Sequence, residues 1–181
     1  MPTSRPEPIP FIANKIITLK PKSILDVGIG FGKWGFLARE YTDIWLNHLQ
    51  DKEGFLPTHW KFRVDGVEIY DKYITKLQDL IYDEIYIGDA IDVIPQLDRY
   101  DMIIASDILE HMNKDSGIKL INAIKDKSQY AYIVTPKNVL PQGAVYDNIA
   151  ESHVVGWTIE DLSVYGTVTG HGGAHVLELT P

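Results

Sequence analysis

The sequence predicts an α/β fold with a mostly parallel seven-stranded sheet, helices on both faces and a C-terminal antiparallel hairpin. Two observations lead to this prediction. Short apolar runs alternate with helical patterns along most of the chain, and such alternation is typical of parallel sheets covered by helices. The last two apolar runs flank the pair Gly172-Gly173, which favours a closing hairpin.

The length and composition fit a single domain that spans residues 1–181. The chain has 181 residues, of which 45% are hydrophobic and 23% are charged, and a chain of this size buries one sizeable core. Its 17 basic and 25 acidic residues give a net charge of −8. We expect no broad nucleic-acid surface, because such surfaces are clusters of positive charge.

Cysteines are absent, which excludes disulfides, thiolate metal sites and cysteine nucleophiles. Residues 1–10 are rich in proline and lack the apolar core of a signal peptide. No run approaches the roughly 20 apolar residues that span a bilayer. We therefore expect a soluble, cytoplasmic protein with no membrane partner, and the oligomeric state stays open.

The helical and extended patterns predict the following elements. A first helix over 11–19, within an N-terminal extension over 1–20, forms either a lid or a cover for the sheet edge. The predicted strands are 23–27, 63–68, 84–87, 100–105 and 130–135, and the hairpin pairs 164–169 with 174–179. The other predicted helices are 32–41, 71–81, 90–97, 114–127 and 158–162. Two segments stay irregular, an insertion over 42–62 and a substrate loop over 137–157.

The first strand ends in a glycine-rich turn, Asp26-Val27-Gly28-Ile29-Gly30-Phe31-Gly32-Lys33. Glycine adopts positive φ and has no Cβ that would keep a ligand away from the backbone. The N–H groups at the start of the following helix attract anionic groups. A dinucleotide-binding turn needs its third glycine where Lys33 stands. This weighs against an NAD-dependent oxidoreductase, which remains an alternative.

Carboxylates follow the next strands, and ligands of open α/β sheets bind at these carboxyl ends. Glu68 either accepts both hydroxyl groups of a ribose or is a solvated acid at a strand end. Asp89, before Ala90, accepts from an adenine amine, caps the following helix, or does both. Asp107 ends the fourth strand.

With these pieces in this order, the chain resembles the class I S-adenosylmethionine-dependent methyltransferases over about 23–179, which implies a Rossmann-like fold. The resemblance implies S-adenosylmethionine as the cofactor, with its methionine at the glycine turn, its ribose at Glu68 and its adenine near Ile69 and Asp89–Ala90. It also implies that Ser106 and Asp107 face the reactive sulfonium. The predicted cofactor-binding residues are Asp26, Gly28, Gly30, Gly32, Glu68, Ile69, Asp89, Ala90 and Asp107.

A second group of polar residues follows the fourth strand. Carboxylates and imidazoles suit a divalent cation, and a similar pattern occurs in metal-dependent small-RNA 2′-O-methyltransferases and in methyltransferases of quinone biosynthesis. Alternatively, a histidine takes the proton of the acceptor, or the Glu-His pair only orients the loop. The predicted metal ligands are Asp107, Glu110, His111 and His153, and the predicted catalytic residues are Asp107, His111 and His153.

We therefore predict a methyltransferase that acts on an oxygen of a small-molecule acceptor. The acceptor is expected to enter beside the loop over 137–157, where Tyr146 and Trp157 either form a wall or pack within the loop. The alternative from another class is a non-catalytic S-adenosylmethionine-binding module that serves as a partner or regulatory subunit. The polar residues after the fourth strand favour the enzyme.

Overall fold

The structure is a computed structural model that describes residues 3–48 and 56–181. Within these ranges the strands form one seven-stranded sheet: β1 (Ser23–Val27), β2 (Arg63–Glu68), β3 (Ile85–Ile87), β4 (Tyr100–Ser106), β5 (Ser128–Pro136), β6 (Thr167–His171) and β7 (Ala174–Leu179). Their order is β3-β2-β1-β4-β5-β7-β6. Only β7 pairs antiparallel with its neighbours, β5 and β6. The predicted mostly parallel α/β sheet with a closing hairpin is confirmed.

Helices cover both faces of this sheet, as predicted. They are α1 (Ile9–Leu19), α2 (Lys33–Arg39), α3 (Trp45–His48), α4 (Lys76–Ile81), α5 (Ala90–Val93), α6 (Lys114–Lys127) and α7 (Ile159–Ser163). Among the described residues, none of the helices combines the length and the apolar character that crossing a membrane requires.

Side chains of the central strands alternate between two apolar layers. Ile24 of β1 packs with α1 and α2, whereas its neighbour Leu25 packs on the opposite face with α6. Met102 and Ile103 of β4 divide in the same way. This alternation follows from the two-residue period of a strand and buries both faces of the sheet.

Helix α1 covers the sheet. Its residues Ile12 and Ile16 are fully buried, and Phe11 packs edge-on against Tyr132 of β5 with ring centroids 6.0 Å apart. The helix begins at Ile9, directly after Pro8. Helix α1 thus covers the sheet, which is one of its two predicted roles, and its residues do not line the cavity described below.

The second helix is longer than predicted. α2 continues through a π-helical turn, Glu40–Ile44, into α3, so the prediction of irregular structure is wrong for residues 42–48. The reason is a buried ion pair one turn apart, in which Arg39 Nη1 lies 3.0 Å from Asp43 Oδ2. The other oxygen of Asp43 accepts from the backbone N–H of Lys61 at 2.6 Å. Residues 49–55 of the predicted insertion lie outside the described residues.

Two predicted helices are divided. The 71–81 helix is a 3-10 turn, Asp71–Tyr73, followed by α4, because Thr75 and Gln78 form a capping box that starts α4. The 90–97 helix is α5 followed by the 3-10 turn Ile94–Gln96, which contains a proline. The first hairpin strand begins at residue 167 instead of 164.

The strand order places a crevice above the centre of the sheet. β1 lies between β2 and β4, so the chain proceeds outward on one side of β1 through β2 and β3 and on the other side through β4 and β5. Loops at the carboxyl ends of β1 and β4 diverge at this reversal, and ligands of open α/β sheets bind there.

Candidate cofactor and catalytic site

A cavity of about 600 Å³ lies at the carboxyl ends of β1 to β4, within the size range of small-molecule sites. Residues 3–5 and part of the loop over 137–157 complete its wall. Asp26 and Gly32, two of the predicted cofactor-binding residues, are not in the wall. The predicted residues that line it are Gly28, Gly30, Glu68, Ile69, Asp89, Ala90, Asp107, Glu110, His111 and His153.

The glycine turn forms the floor of this cavity. Gly28 and Gly30 have φ values of 78° and 48°, a region that glycine adopts without strain. A Cβ atom on Gly28 would lie 2.8 Å from Ile108 Cδ1. Ile108 therefore packs closely on Gly28, and Gly32, with φ of 89°, is the N-cap of α2 behind the turn.

Asp26 lies beneath the turn and is 1% exposed. Its Oδ2 accepts from the Tyr82 hydroxyl at 2.5 Å and from the Gly35 N–H at 3.2 Å. Burial raises the pKa of Asp26 to about 7, against the opposing effect of these two hydrogen bonds. Through these two hydrogen bonds the carboxyl group of β1 holds α2 and the residue directly after α4, and so it stabilises the glycine turn.

Glu68 ends β2 with both carboxylate oxygens oriented by backbone amides. The Gly30 N–H donates to Oε2 at 3.0 Å, and the Tyr70 N–H donates to Oε1 at 2.9 Å. Burial raises the pKa of Glu68, and the two amide hydrogen bonds act in the opposite direction. A carboxylate oxygen has lone pairs for more than one hydrogen bond, so each oxygen of Glu68 can accept a further donor. The two backbone amides therefore hold Glu68 in place, and its carboxylate can accept hydrogen bonds from a ligand in the cavity.

The ends of β2 and β3 form an adjacent apolar wall. Ile69 is half exposed and lines the cavity beside Ala90. Asp89 Oδ1 accepts from the Ile91 N–H at 3.0 Å and caps α5. The capping alternative is thus confirmed for Asp89, while the same residue also lines the cavity.

Asp107 adopts φ of 55° at the end of β4, a left-handed conformation that aspartate tolerates better than most residues. Its carboxylate accepts from the backbone N–H of Arg5 at 2.8 Å and from Arg5 Nε at 2.9 Å. The structure therefore holds Asp107 in an ion pair with the N-terminal segment and apart from the other three predicted metal ligands.

Glu110, His111 and His153 form a cluster whose candidate ligand atoms all lie within 4.8 Å of one another. Glu110 is 2% exposed, and the Thr135 hydroxyl donates to its Oε2 at 3.2 Å. Burial, and then the charge of Asp107, raise the pKa of Glu110 to about 8. The cluster unites residues from two distant parts of the sequence, as predicted.

Each histidine of this cluster faces a backbone carbonyl through its Nδ1 atom. His111 Nδ1 lies 3.3 Å from the Ser152 carbonyl, and His153 Nδ1 lies 2.5 Å from the Leu140 carbonyl. An Nδ1–H that donates to a carbonyl leaves Nε2 with the lone pair that binds a metal or accepts a proton. Burial lowers the pKa of His111, which favours the neutral imidazole.

The loop over 137–157 is anchored to the 3-10 turn Leu109–His111. The Val154 N–H donates to the Glu110 carbonyl at 2.7 Å, and Trp157 Nε1 donates to the Leu109 carbonyl at 3.0 Å. Trp157 is buried in the core and does not line the cavity, so it packs within the fold. Tyr146, in contrast, lines the cavity.

Neither the protein-family models nor the curated proteins include a match to this chain. Solved structures do match: an S-adenosylmethionine-dependent methyltransferase from Archaeoglobus fulgidus aligns with a TM-score of 0.52 and 18% identity over 86% of this chain and 65% of that one. The methyltransferase domain of bacterial CtHen1 aligns with a TM-score of 0.60 and 13% identity over 97% and 98% of the two chains. The chain has the class I methyltransferase fold.

A third match is a protein from Nostoc punctiforme described as a putative O-methyltransferase. It aligns with a TM-score of 0.61 and 14% identity, and the alignment covers 94% of this chain and 55% of that one. The chain thus spans about two thirds of the Archaeoglobus protein and about half of the Nostoc protein. Matches of such low identity establish the methyltransferase fold.

Within this methyltransferase fold, several cavity residues were not predicted from the sequence. Arg5 and Ser4 approach from the N-terminal segment, and the Lys33 ammonium donates to the Ser4 carbonyl. The sequence pattern marks Lys33 only as unfavourable for dinucleotide binding, whereas this residue also lines the cavity. No local pattern marks Arg5, because its partner Asp107 is 102 positions away.

Proposed function

We propose that this chain is an S-adenosylmethionine-dependent methyltransferase that acts on an oxygen atom of a small-molecule acceptor. The observation that carries the proposal is the carboxylate of Glu68, held by the Gly30 and Tyr70 amides at the edge of the cavity. An adenosine ribose offers two adjacent hydroxyl donors, and a fixed carboxylate is a suitable acceptor for both. Gly28 and Gly30 line the same cavity beside Glu68, which offers a place for the rest of such a ligand.

The other residues of the cavity suit the remaining parts of the cofactor. Ile69 and Ala90 offer an apolar surface for adenine, and Asp89 offers an acceptor beside them. Gly28 and Gly30 lie where a methionine moiety would contact backbone. When bound, S-adenosylmethionine supplies a methyl group attached to a positively charged sulfur. The task of the chain is then to hold two reactants in line, which in favourable cases corresponds to effective molarities of about 10⁵ M or more.

The acceptor side of the proposal rests on Glu110, His111 and His153. An oxygen acceptor loses a proton as it gains the methyl group, and a neutral imidazole takes up that proton. Burial lowers the pKa of His111, so this histidine is in its proton-accepting form at neutral pH. The Nostoc protein is described as a putative O-methyltransferase, which agrees with an oxygen acceptor.

The same three residues fit a divalent cation. One carboxylate and two imidazoles are a donor set that first-row transition metals accept, and the carbonyls beside both Nδ1 atoms would orient the imidazoles as ligands. A cation at this position lowers the pKa of a bound hydroxyl group. Glu110, His111 and His153 would hold it, and Asp107 would not, because Arg5 occupies its carboxylate.

A non-catalytic cofactor-binding module would need the Glu68 side of the cavity only. Glu110, His111 and His153 on the other side favour an enzyme, because a module that only binds the cofactor has no need of three titratable groups in the cavity wall.

The test of this proposal begins with calorimetric titration of the protein with S-adenosylhomocysteine. We expect one molecule to bind, and we expect Glu68→Ala to weaken binding by about 1–3 kcal/mol, or roughly 5- to 150-fold in Kd, through the loss of charge-assisted hydrogen bonds. Glu84→Ala is the matched control, since Glu84 is exposed and precedes β3 at the opposite end of the sheet.

Transfer of a labelled methyl group to a panel of phenols and sugars then tests for catalysis. No binding of S-adenosylhomocysteine by the wild type would contradict the whole proposal. Binding without transfer to any acceptor would favour the module. An unchanged Kd for Glu68→Ala would remove Glu68 from the site.

A further inference from the structure

Residues 3–7, here called the strap, run from the cavity wall to the start of α1. We propose that the strap is a fixed wall that retains the bound cofactor and that Arg5 is the positioning residue that keeps it closed on Asp107. This inference rests on the proposed function for the identity of the ligand. Within the N-terminal extension over 1–20, for which the sequence left a lid as one alternative, it assigns the covering role to residues 3–7, ahead of α1.

Two hydrogen bonds join Arg5 to Asp107. The backbone N–H of Arg5 donates to Oδ2 at 2.8 Å, and Nε donates to Oδ1 at 2.9 Å. The side chains are 32% and 15% exposed, respectively, so solvent screens the pair only in part. Because Arg5 gives one donor to each carboxylate oxygen, the contact fixes both the backbone of the strap and the orientation of Asp107.

A second contact holds the strap on the glycine-turn side. The Lys33 ammonium donates to the Ser4 carbonyl, and Lys33 is the first residue of α2. The strap is therefore tied both to the end of β4 and to the helix that follows the glycine turn. These two anchors lie on opposite sides of the point where the strand order reverses.

The turn between β6 and β7 is shaped to receive the strap. A Cβ atom on Gly172 would lie 2.7 Å from Glu7 Cγ, and one on Gly173 would lie 3.1 Å from Arg5 Nη1. Arg5 Nη1 also donates to the Gly173 carbonyl at 3.2 Å. The pair of glycines thus provides the space in which the strap lies, in addition to forming the hairpin.

The strap borders the cavity without filling it. Thr3, Ser4 and Arg5 line a space that still measures about 600 Å³, which is enough for a small-molecule ligand. A ligand in this space would be enclosed by the strap on one side and by the glycine turn on the other. The expected effect of loosening the strap is therefore faster release of the ligand, with little change in its rate of entry.

The experiment measures association and dissociation rates of S-adenosylhomocysteine for the wild type, Arg5→Ala and Arg5→Lys. We expect Arg5→Ala to dissociate about tenfold faster with an unchanged association rate, because a charge-assisted contact that keeps the wall closed is lost. Arg5→Lys should fall between the two, since an ammonium cannot replace the guanidinium geometry. Arg99→Ala is the matched control, because Arg99 lies at the opposite end of β4, where it donates to the Ser128 carbonyl at 2.8 Å.

Unchanged dissociation in Arg5→Ala would overturn the proposal. Faster association with unchanged dissociation would also overturn it, because the strap would then obstruct entry instead of retaining the ligand.

If the wild type binds no S-adenosylhomocysteine, the proposed function is wrong. The closed position of the strap is then tested separately by amide hydrogen exchange at Arg5. Slow exchange of this amide in the wild type that becomes fast in Asp107→Ala would support a closed strap. Fast exchange in the wild type would overturn it.

Discussion

The hydroxyl of Tyr82 donates a 2.5 Å hydrogen bond to Asp26 Oδ2 directly beneath the glycine turn. The approach is possible because residue 35 is a glycine, whose Cβ would lie 2.3 Å from Tyr82 Cζ. Asp26 of β1 therefore connects Tyr82, directly after α4, with Gly35 of α2. This contact supports the ligand site from below.

Tyr82→Phe should lower the free energy of unfolding by about 1–3 kcal/mol, because Asp26 loses a donor while it stays buried. Chemical denaturation measures this change. Tyr86→Phe is the control, since its hydroxyl makes a long contact of 3.4 Å to Arg63, and its effect should stay within about 0.5 kcal/mol. Equal changes in the free energy of unfolding for the two substitutions would show that the Tyr82–Asp26 hydrogen bond does not stabilise the fold more than the long Tyr86 contact does.

The stability of the protein should fall as the pH rises through neutrality. Burial raises the pKa of Asp26 from 3.8 to about 7 in the folded state. The folded state therefore holds this proton more tightly than the unfolded state, and the contribution of Asp26 to stability is full below pH 3.8 and is lost as the pH rises through about 7.

Asp26→Asn isolates this contribution, because the amide does not titrate. Denaturant unfolding between pH 4 and pH 8 should show a shallower decline for Asp26→Asn than for the wild type. Part of the decline should remain, since burial also raises the pKa values of Glu68 and Glu110. Parallel curves for the two proteins would contradict the assignment to Asp26.

Gly28→Ala should weaken both folding and binding. The substitution puts a Cβ at a φ of 78° and within 2.8 Å of Ile108 Cδ1, and the backbone conformation alone costs about 1–2 kcal/mol. Unfolding and S-adenosylhomocysteine titration measure the two effects. Gly143→Ala is the control, because a Cβ there would meet no atom within 4 Å. A Gly28→Ala protein with wild-type affinity would show that the floor of the cavity does not contact the ligand.

The histidine cluster should bind Mn²⁺ in a way that depends on His153. We expect His153→Ala to abolish or strongly weaken Mn²⁺ binding measured by electron paramagnetic resonance, because one of three donors is lost. His48→Ala, at the exposed end of α3, should bind as the wild type does. If the wild type binds no Mn²⁺ and its activity is indifferent to EDTA, the metal hypothesis is wrong and the histidines remain as candidate bases.

Much of the cavity was predictable from the sequence because parallel strands bring their carboxyl ends to one edge. The apolar runs before Glu68 and Asp89 therefore predicted that these residues lie together, although they are far from the glycine turn in sequence. The wall also contains Arg5, which was not predictable, because its ion pair with Asp107 is purely tertiary.

The helical residues 42–48 were missed for a different reason. Thr42, Ile44 and Trp45 have modest helix propensities, so the local pattern did not predict a helix. The helix continues because Asp43 is buried and bonded on both sides, by Arg39 within the helix and by the Lys61 amide outside it. The conformation of residues 42–48 therefore depends on tertiary contacts that the local sequence does not indicate.

The position of β7 between β5 and β6 affects how a nascent chain of this protein behaves on the ribosome. β7 is the last described strand to be synthesised, yet it pairs with β5 from Ala131 to Pro136. Until residue 174 has emerged, that side of β5 presents unpaired backbone groups, which can template aggregation. A chain halted before this residue would therefore present β5 as an unpaired edge strand, and protection by a chaperone would matter most during this interval.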